Sequence, residues 1–387
     1  MAHAQTPKSA PPTGGRRTRP PFRADHVGSL LRPKQLLAAR DDLGAGRIDA
    51  GQLRAIEDEA IRDAVRMQRD VGLQSATDGE FRRSSWHMDF IYQLGGIEKV
   101  EQDINVTFRN ADGEVDFKPA AIRVTDKVAL DHTIFAEDFQ FLKGIVDDGI
   151  TPKLTIPSPN MVHYRAGRAA LDPRAYIDID QFWVDLSAAY AQQVSQIAAL
   201  GCTYLQFDDT SLAYLNDPRQ RSALTERGED TANLHETYVS NINNALAGRP
   251  EELVVTTHLC RGNFRSSWAA EGGYDFVAET LFGSLDVDGF FLEYDDARSG
   301  GFEPLRFVAP GKMVVLGLVT SKRGELESHD ELRRRIDEAS RYIPLEQLCL
   351  SPQCGFSSTV EGNAVSYDEQ VAKLELVVEV ATEIWGG

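Results

Sequence analysis

Short apolar runs suited to β-strands alternate with helix-length amphipathic segments along most of this chain, and that alternation restricts its fold more than any other property. The strand-type runs are Asp25–Leu30, Gln74–Gly79, Lys153–Pro157, Thr203–Asp208, Leu253–His258, Gly289–Tyr294, Met313–Val319 and Gln347–Pro352. Helical patterns occupy Gly51–Val71, Ile177–Leu200, Thr231–Leu246, His329–Tyr342 and Tyr367–Ile384. Strands that are apolar throughout, rather than at every second residue, need cover on both faces, as in a parallel sheet flanked by helices. Eight such units predict an α/β fold, a single (β/α)8 TIM barrel. A doubly wound open sheet is the alternative, but no G-x-G-x-x-G follows the first strand, so nothing points to a dinucleotide.

The region from Gly96 to about His132 breaks the rhythm. It holds Asn110-Ala111-Asp112-Gly113 between the β-type runs Asn105–Arg109 and Glu114–Lys118, the pattern of a β-hairpin. It reads as an insertion in a βα loop, either a lid or a contact for a homodimer. Residues 1–21 are rich in Pro, Gly, Lys and Arg without an apolar core and read as a disordered tail. The barrel then spans 22–387 with the insertion over about 96–132.

Composition excludes several classes. No stretch approaches the roughly 20 apolar residues of a membrane span. Fifty-nine acidic against 41 basic residues give a formal charge of −18, the opposite of a nucleic-acid footprint. Four cysteines, Cys202, Cys260, Cys349 and Cys354, are too few for a disulfide scaffold, so a reducing cytoplasm is the expected compartment.

Ligand-type residues collect at strand ends. Thr256-Thr257-His258-Leu259-Cys260 follows the apolar Leu253-Val254-Val255, and residues two apart on a strand face the same way. His258 and Cys260 therefore present an imidazole and a thiol to one space. Glu293 ends the next apolar run, and Cys354 follows the last. One His, two Cys and one Glu form a donor set suited to Zn2+, provided that three distant strand ends meet. In a TIM barrel they do, because active sites sit at the C-terminal ends of the strands. Ser29, Asp78, Glu80, Asp208 and Asp209 fall at the same end.

With these residues in place the chain resembles the catalytic C-terminal barrel of cobalamin-independent methionine synthase, and most closely its short, single-barrel relatives. The resemblance runs from Phe22 to Trp385. It rests on Asp25-His26-Val27-Gly28-Ser29, Asp78-Gly79-Glu80-Phe81, Leu205-Gln206-Phe207-Asp208-Asp209, His258-Leu259-Cys260, Phe291-Leu292-Glu293 and Pro352-Gln353-Cys354-Gly355, in the family's order. It implies that His258, Cys260, Glu293 and Cys354 bind a catalytic zinc. It also implies that Ser29, Glu80 and Asp208 hold the amino-acid part of a thiol substrate, homocysteine, with a structural ion pair to an arginine such as Arg82 as the alternative for the carboxylates. Asp78 then supports its loop, and His26, beside Ser29, is a further candidate for substrate contact. Zinc-bound thiolate is the nucleophile in such chemistry, and Glu293 is the candidate exchangeable ligand.

Two departures from the family stand out. The N-terminal barrel of the full-length synthase has no counterpart here. The family's catalytic histidine falls in the window Leu316–Arg323, which contains none; Lys322 would have to supply the proton, or the leaving group needs none. The segment Pro157-Ser158-Pro159-Asn160 offers no aromatic surface for a pterin, so folate, a corrinoid protein or a small methylated compound all stay open as methyl donor. Alkyl transfer to another thiol, as in epoxyalkane–coenzyme M transferases, is a second reading; a non-catalytic zinc- or thiol-binding protein and a metal-free porphyrinogen-decarboxylase-like barrel are others.

Overall fold

The computed structural model describes residues 15–100, 106–110, 113–117, 121–164 and 167–386. Twelve strands run among them: β1 (Ser75–Ala76), β2 (Gly95–Val100), β3 (Val106–Asn110), β4 (Gly113–Phe117), β5 (Ala121–Ala129), β6 (Thr151–Pro152), β7 (Leu154–Pro157), β8 (Tyr204–Asp209), β9 (Val254–Leu259), β10 (Gly289–Glu293), β11 (Met313–Val319) and β12 (Leu348–Pro352). Strands β7 to β12 form one sheet in chain order, every neighbouring pair parallel. Its strands are buried along their whole length, as their continuous hydrophobicity requires. The expected α/β architecture with a parallel sheet is present.

At one edge of this sheet, β1 pairs with β6, which leads directly into β7. At the other edge a single parallel bridge joins Ala24 to Leu350 of β12. The expected strand Asp25–Leu30 thus forms no ladder beyond that bridge. Buried side chains take its carbonyls instead: Gln206 Nε2 donates to Val27 O at 2.6 Å and Thr77 Oγ1 to Gly28 O at 2.6 Å. The expected strand Gln74–Gly79 is likewise reduced to Ser75–Ala76. After it, the side chain of Gln68 both donates to Thr77 O and accepts from Thr77 N, at 2.9 Å each. A buried amide thereby replaces a neighbouring strand, and the backbone groups stay satisfied.

Helices cover the sheet. Ala50–Asp70, Ile179–Ala199, Leu234–Leu246, His329–Ala339 and Tyr367–Trp385 match the five expected segments within three residues at each end. Ser366 caps the last with a capping box through Glu369, the S-x-x-E signature of a helix start. The largest apolar cluster lies between helices and sheet, and a small one, Val27, Phe291, Met313, Val315 and Cys349, packs separately. Phe291 is the register partner of His258, Val315 of Phe291 and Cys349 of Val315, so this small core lies in one row across the sheet with His258.

The insertion holds an antiparallel β3–β4 hairpin and an outer antiparallel pair, β2 with β5. The hairpin's central turn, Ala111-Asp112, and its expected ends Asn105 and Lys118 lie outside the described residues. It is tied to the segment after β9: Arg109 N donates to Trp268 O at 2.7 Å and Trp268 N to Arg109 O at 2.8 Å. Residues 1–14 of the expected tail also lie outside the described residues, while Pro20 and Pro21 are buried. No described helix is long and apolar enough to cross a membrane.

Candidate metal centre

The ends of β9, β10 and β12 bring His258, Cys260, Glu293 and Cys354 together, with one ligand atom from each within 4.8 Å of all the others. All four are buried. Sheet register does much of this: Phe291, two residues before Glu293, pairs with His258. Gly317 is the partner of Glu293 on β11, where a Cβ would stand 2.6 Å from Gln353 Cα and 2.8 Å from Leu292 O. Only glycine lets the segment carrying Cys354 approach this closely.

The electrostatics of the cluster are those of an ion site. The Cys260 and Cys354 sulfurs are 3.6 Å apart; the hydrogen bond between them raises the Cys260 thiol well above its usual range and lowers Cys354. Burial works against a charged His258, yet the hydrogen bond to Asp208 and the charges of Cys354 and Asp208 push it up to about 9. Asp208 Oδ1 lies 3.5 Å from His258 Nδ1, and His258 Nε2 is 3.9 Å from Glu293 Oε1. Glu293 Oε1 accepts from Arg261 N at 3.2 Å, but its buried Oε2 has no hydrogen-bond partner. The Arg298 guanidinium lies 3.8 Å from that oxygen, beyond hydrogen-bond reach, so the oxygen still lacks the close contact a buried carboxylate needs, and a cation held with the two thiols and the imidazole would supply it. The donor set and its convergence fit zinc.

A cavity of 180 Å³ opens onto the cluster and is lined by His258, Cys260 and Cys354 together with Ser29, Glu80 and Asp208. Glu80 has a left-handed backbone, φ 60, a conformation that costs energy for a residue with a Cβ and tends to mark function. It is held there by Asp78, whose Oδ1 accepts from Glu80 N at 2.9 Å, and by Arg32, which donates to Glu80 O at 3.0 Å. Thr155 Oγ1 donates to Glu80 Oε1 at 2.8 Å, whereas the buried Oε2 has no partner. Burial raises the Glu80 carboxyl to about 7, Arg83 opposing and Asp208 adding to the rise. The arginine beside Glu80 is Arg83, at 3.5 Å; Arg82 pairs with Asp58 and Asp138.

Other candidates sit elsewhere. Asp209 is buried and bonded to Ser158, Asn160, Ser211 and Leu212 N, so it organises the turn after β8. His26 is buried, is not among the residues lining the cavity, and neither of its ring nitrogens has a partner. Lys322 is buried with its Nζ unpartnered and lines a second cavity with Asp296 and Arg298.

Three residues of the centre escaped the reading of the sequence. Arg261 is 1% exposed; it donates to Glu293 O at 2.8 Å, to Tyr274 OH at 3.0 Å and to Gly272 O at 2.8 Å. Asn263 donates to Gly355 O at 2.8 Å and so ties the two cysteine-bearing segments together. Arg298 lies 3.8 Å from Glu293 Oε2. Arg261 and Asn263 directly follow Cys260, and that adjacency was the one available signal.

The model of the cobalamin-independent synthase catalytic domain matches residues 22–383. The chain belongs to that family. Among curated relatives, the uncharacterized protein YxjG of Bacillus subtilis is 48% identical over 370 residues, covering 95% of this chain and 96% of its own. Methionine synthase of Pyrococcus abyssi is 23% identical, with 92% of each chain covered. Among solved structures, a candidate vitamin-B12-independent methionine synthase from Listeria monocytogenes gives a TM-score of 0.76 at 40% identity, over 95% of this chain and 99% of its own. The fold is also shared with a B12-independent methionine synthase from Shewanella, solved with selenomethionine, at a TM-score of 0.66 and 17% identity over 92% and 95% of the two chains.

Proposed function

We propose that this family member is a zinc-dependent S-methyltransferase that activates homocysteine and forms methionine. The observation that carries this reading is one cavity shared by three ligand-type side chains, His258, Cys260 and Cys354, and by the carboxylates of Glu80 and Asp208. Zinc, when bound by His258, Cys260, Glu293 and Cys354, supplies the positive charge that keeps a thiol deprotonated at neutral pH. Glu80 and Asp208 meet the ammonium group of the amino acid, and Ser29 closes the amino-acid end. Glu293, the oxygen donor of the set, would be the exchangeable ligand, and Arg298, 3.8 Å from its Oε2, stands where it would pair with that carboxylate. Transfer to a sulfonate thiol is disfavoured, because no lysine or arginine lines the cavity among the described residues. We take the sheet, its β1–β6 extension and the bridged segment around Ala24 as the staves of a closed eight-stranded barrel, and the cytoplasm as its compartment.

The test is zinc content and homocysteine binding in the wild type and in Cys260→Ser. Zinc near one per chain, lost in the variant, together with added sulfur in the metal's X-ray absorption on mixing with homocysteine, is the expected result. A zinc signal indifferent to homocysteine overturns the substrate assignment; a wild type that takes up no zinc overturns the metal assignment.

A further inference from the structure

The wall of the cavity beyond the thiol site carries information about the donor. It bears four aromatic rings, Trp86, Phe108, Tyr214 and Phe264, and a third carboxylate, the exposed Glu361. Phe108 and Phe264 are in ring contact, with centroids 5.5 Å apart, and Phe108 comes from the β3–β4 hairpin pinned across the segment after β9. Beside the carboxylates assigned to the amino-acid ammonium, the cavity therefore combines the carboxylate of Glu361 with aromatic rings, of which Phe264 already has the Arg265 guanidinium 5.3 Å from its centroid. Among the described residues it has no lysine or arginine. Both features favour a cation carrying apolar substituents, since an aromatic face attracts such a group through its quadrupole. They oppose an anionic donor, whose charge would be buried beside carboxylates.

We propose that the methyl donor is a small methylsulfonium compound, an inference that rests on the thiol-activating reading above. In the transfer, the substrate thiolate attacks a methyl carbon of the sulfonium and a new carbon–sulfur bond forms. The old carbon–sulfur bond breaks, and its electron pair stays on the departing sulfur, which leaves as a neutral thioether. The thiol proton has already gone to solvent. A donor with a neutral amine nitrogen would need a proton as it leaves, whereas the sulfonium needs none. That agrees with a catalytic histidine missing from 316–323; the histidines on the cavity wall are His87 and the ligand candidate His258.

The experiment uses the full-length, zinc-loaded protein with homocysteine bound. It is titrated with choline, an inert quaternary-ammonium mimic, and with 3,3-dimethylbutanol, its neutral isostere. Trimethylsulfonium is then supplied and dimethyl sulfide measured by gas chromatography. Choline is expected to bind about tenfold more tightly than the isostere, Glu361→Gln and Phe108→Leu are each expected to reduce that preference severalfold, and dimethyl sulfide is expected to appear in step with methionine. Equal binding of choline and isostere, or no dimethyl sulfide, overturns the proposal, as does methyl transfer from 5-methyltetrahydrofolate alone. Proton release on adding homocysteine separates the two readings. If it is absent, thiol activation itself fails; if it persists while the sulfonium fails, only the donor class is wrong.

Discussion

At the scale of single residues, the centre consists of a few side chains in costly states that only a ligand repays. Glu80 is the clearest. Its carboxyl holds a proton up to about 7 because it is buried, while an unfolded chain releases that proton near the ordinary carboxylate value. Between those two values the folded state binds more protons, so this residue's contribution to stability falls as pH rises through the window. Glu80→Gln is therefore expected to raise the melting temperature above neutral pH and to flatten its pH dependence. The same ionisation has the opposite sign for substrate: an ammonium group needs the carboxylate, so homocysteine should bind more tightly as pH rises past about 7. In Glu80→Gln the part of that rise due to the carboxyl should vanish and leave only the part due to thiol deprotonation, and the loss should be small for 4-mercaptobutyrate, which has no amine; calorimetry on the two thiols checks both. Gly355 gives a second prediction. A Cβ there would stand 1.9 Å from Ser29 Oγ, so Gly355→Ala should displace Ser29 and weaken homocysteine binding with zinc retained. Zinc content and thiol binding measured together would expose the alternative, loss of the metal through the neighbouring Cys354. The four metal-ligand candidates were legible in the sequence because each ends an apolar run. Arg261 and Arg298 were not, since an arginine in a loop gives no sign that it will be buried against a carboxylate.

Elements explain how strand ends 30 or more residues apart in sequence reach one point. Parallel pairing in chain order puts all C-terminal ends at one edge of the sheet, and register then aligns Asp208 with His258 on neighbouring strands. The strands from β7 onward were readable within a residue or two, because their hydrophobicity is unbroken and turn residues bound them. The first two were over-read. Their composition is strand-like, but Gln206, Thr77 and Gln68 satisfy their backbone through side chains, and no local pattern reveals such a distant partner. Helix boundaries followed capping chemistry. Ser366→Ala removes the acceptor for Glu369 N and should cost about 1 kcal/mol; urea unfolding should show the loss, and Ser366→Asp should recover most of it. A cost near zero would mean that packing of Tyr367–Trp385 alone fixes the helix start.

For the molecule as a whole, the first and third strand-type segments are drawn together around one buried ion pair. Asp25 and Lys153 are 3.3 Å apart and fully enclosed. Asp25 also accepts from Tyr204 OH at 2.8 Å, Phe22 N at 3.0 Å and Ser75 Oγ at 3.3 Å, so a single carboxylate joins four parts of the fold. Asp25→Ala leaves the Lys153 charge buried without its partner and should destabilise by about 3–5 kcal/mol. The double variant Asp25→Ala with Lys153→Met should recover a large part of that, as read from denaturant midpoints; no recovery would assign the loss to the other hydrogen bonds. The sequence by itself determined the fold class, the hairpin insertion, the helices and the candidate ligands, because hydrophobic periodicity, turn chemistry and strand-end position are local properties. The tertiary structure alone decided that those ligands converge within 4.8 Å, that Glu80 faces the cavity with an unpaired oxygen while Lys322 lines another, and that aromatic rings from the hairpin and from the segment after β9 share the cavity's wall. Each of these depends on which distant segments meet, and that is fixed by sheet register and by the buried polar contacts that hold the sheet's edges, properties that no stretch of the chain carries alone.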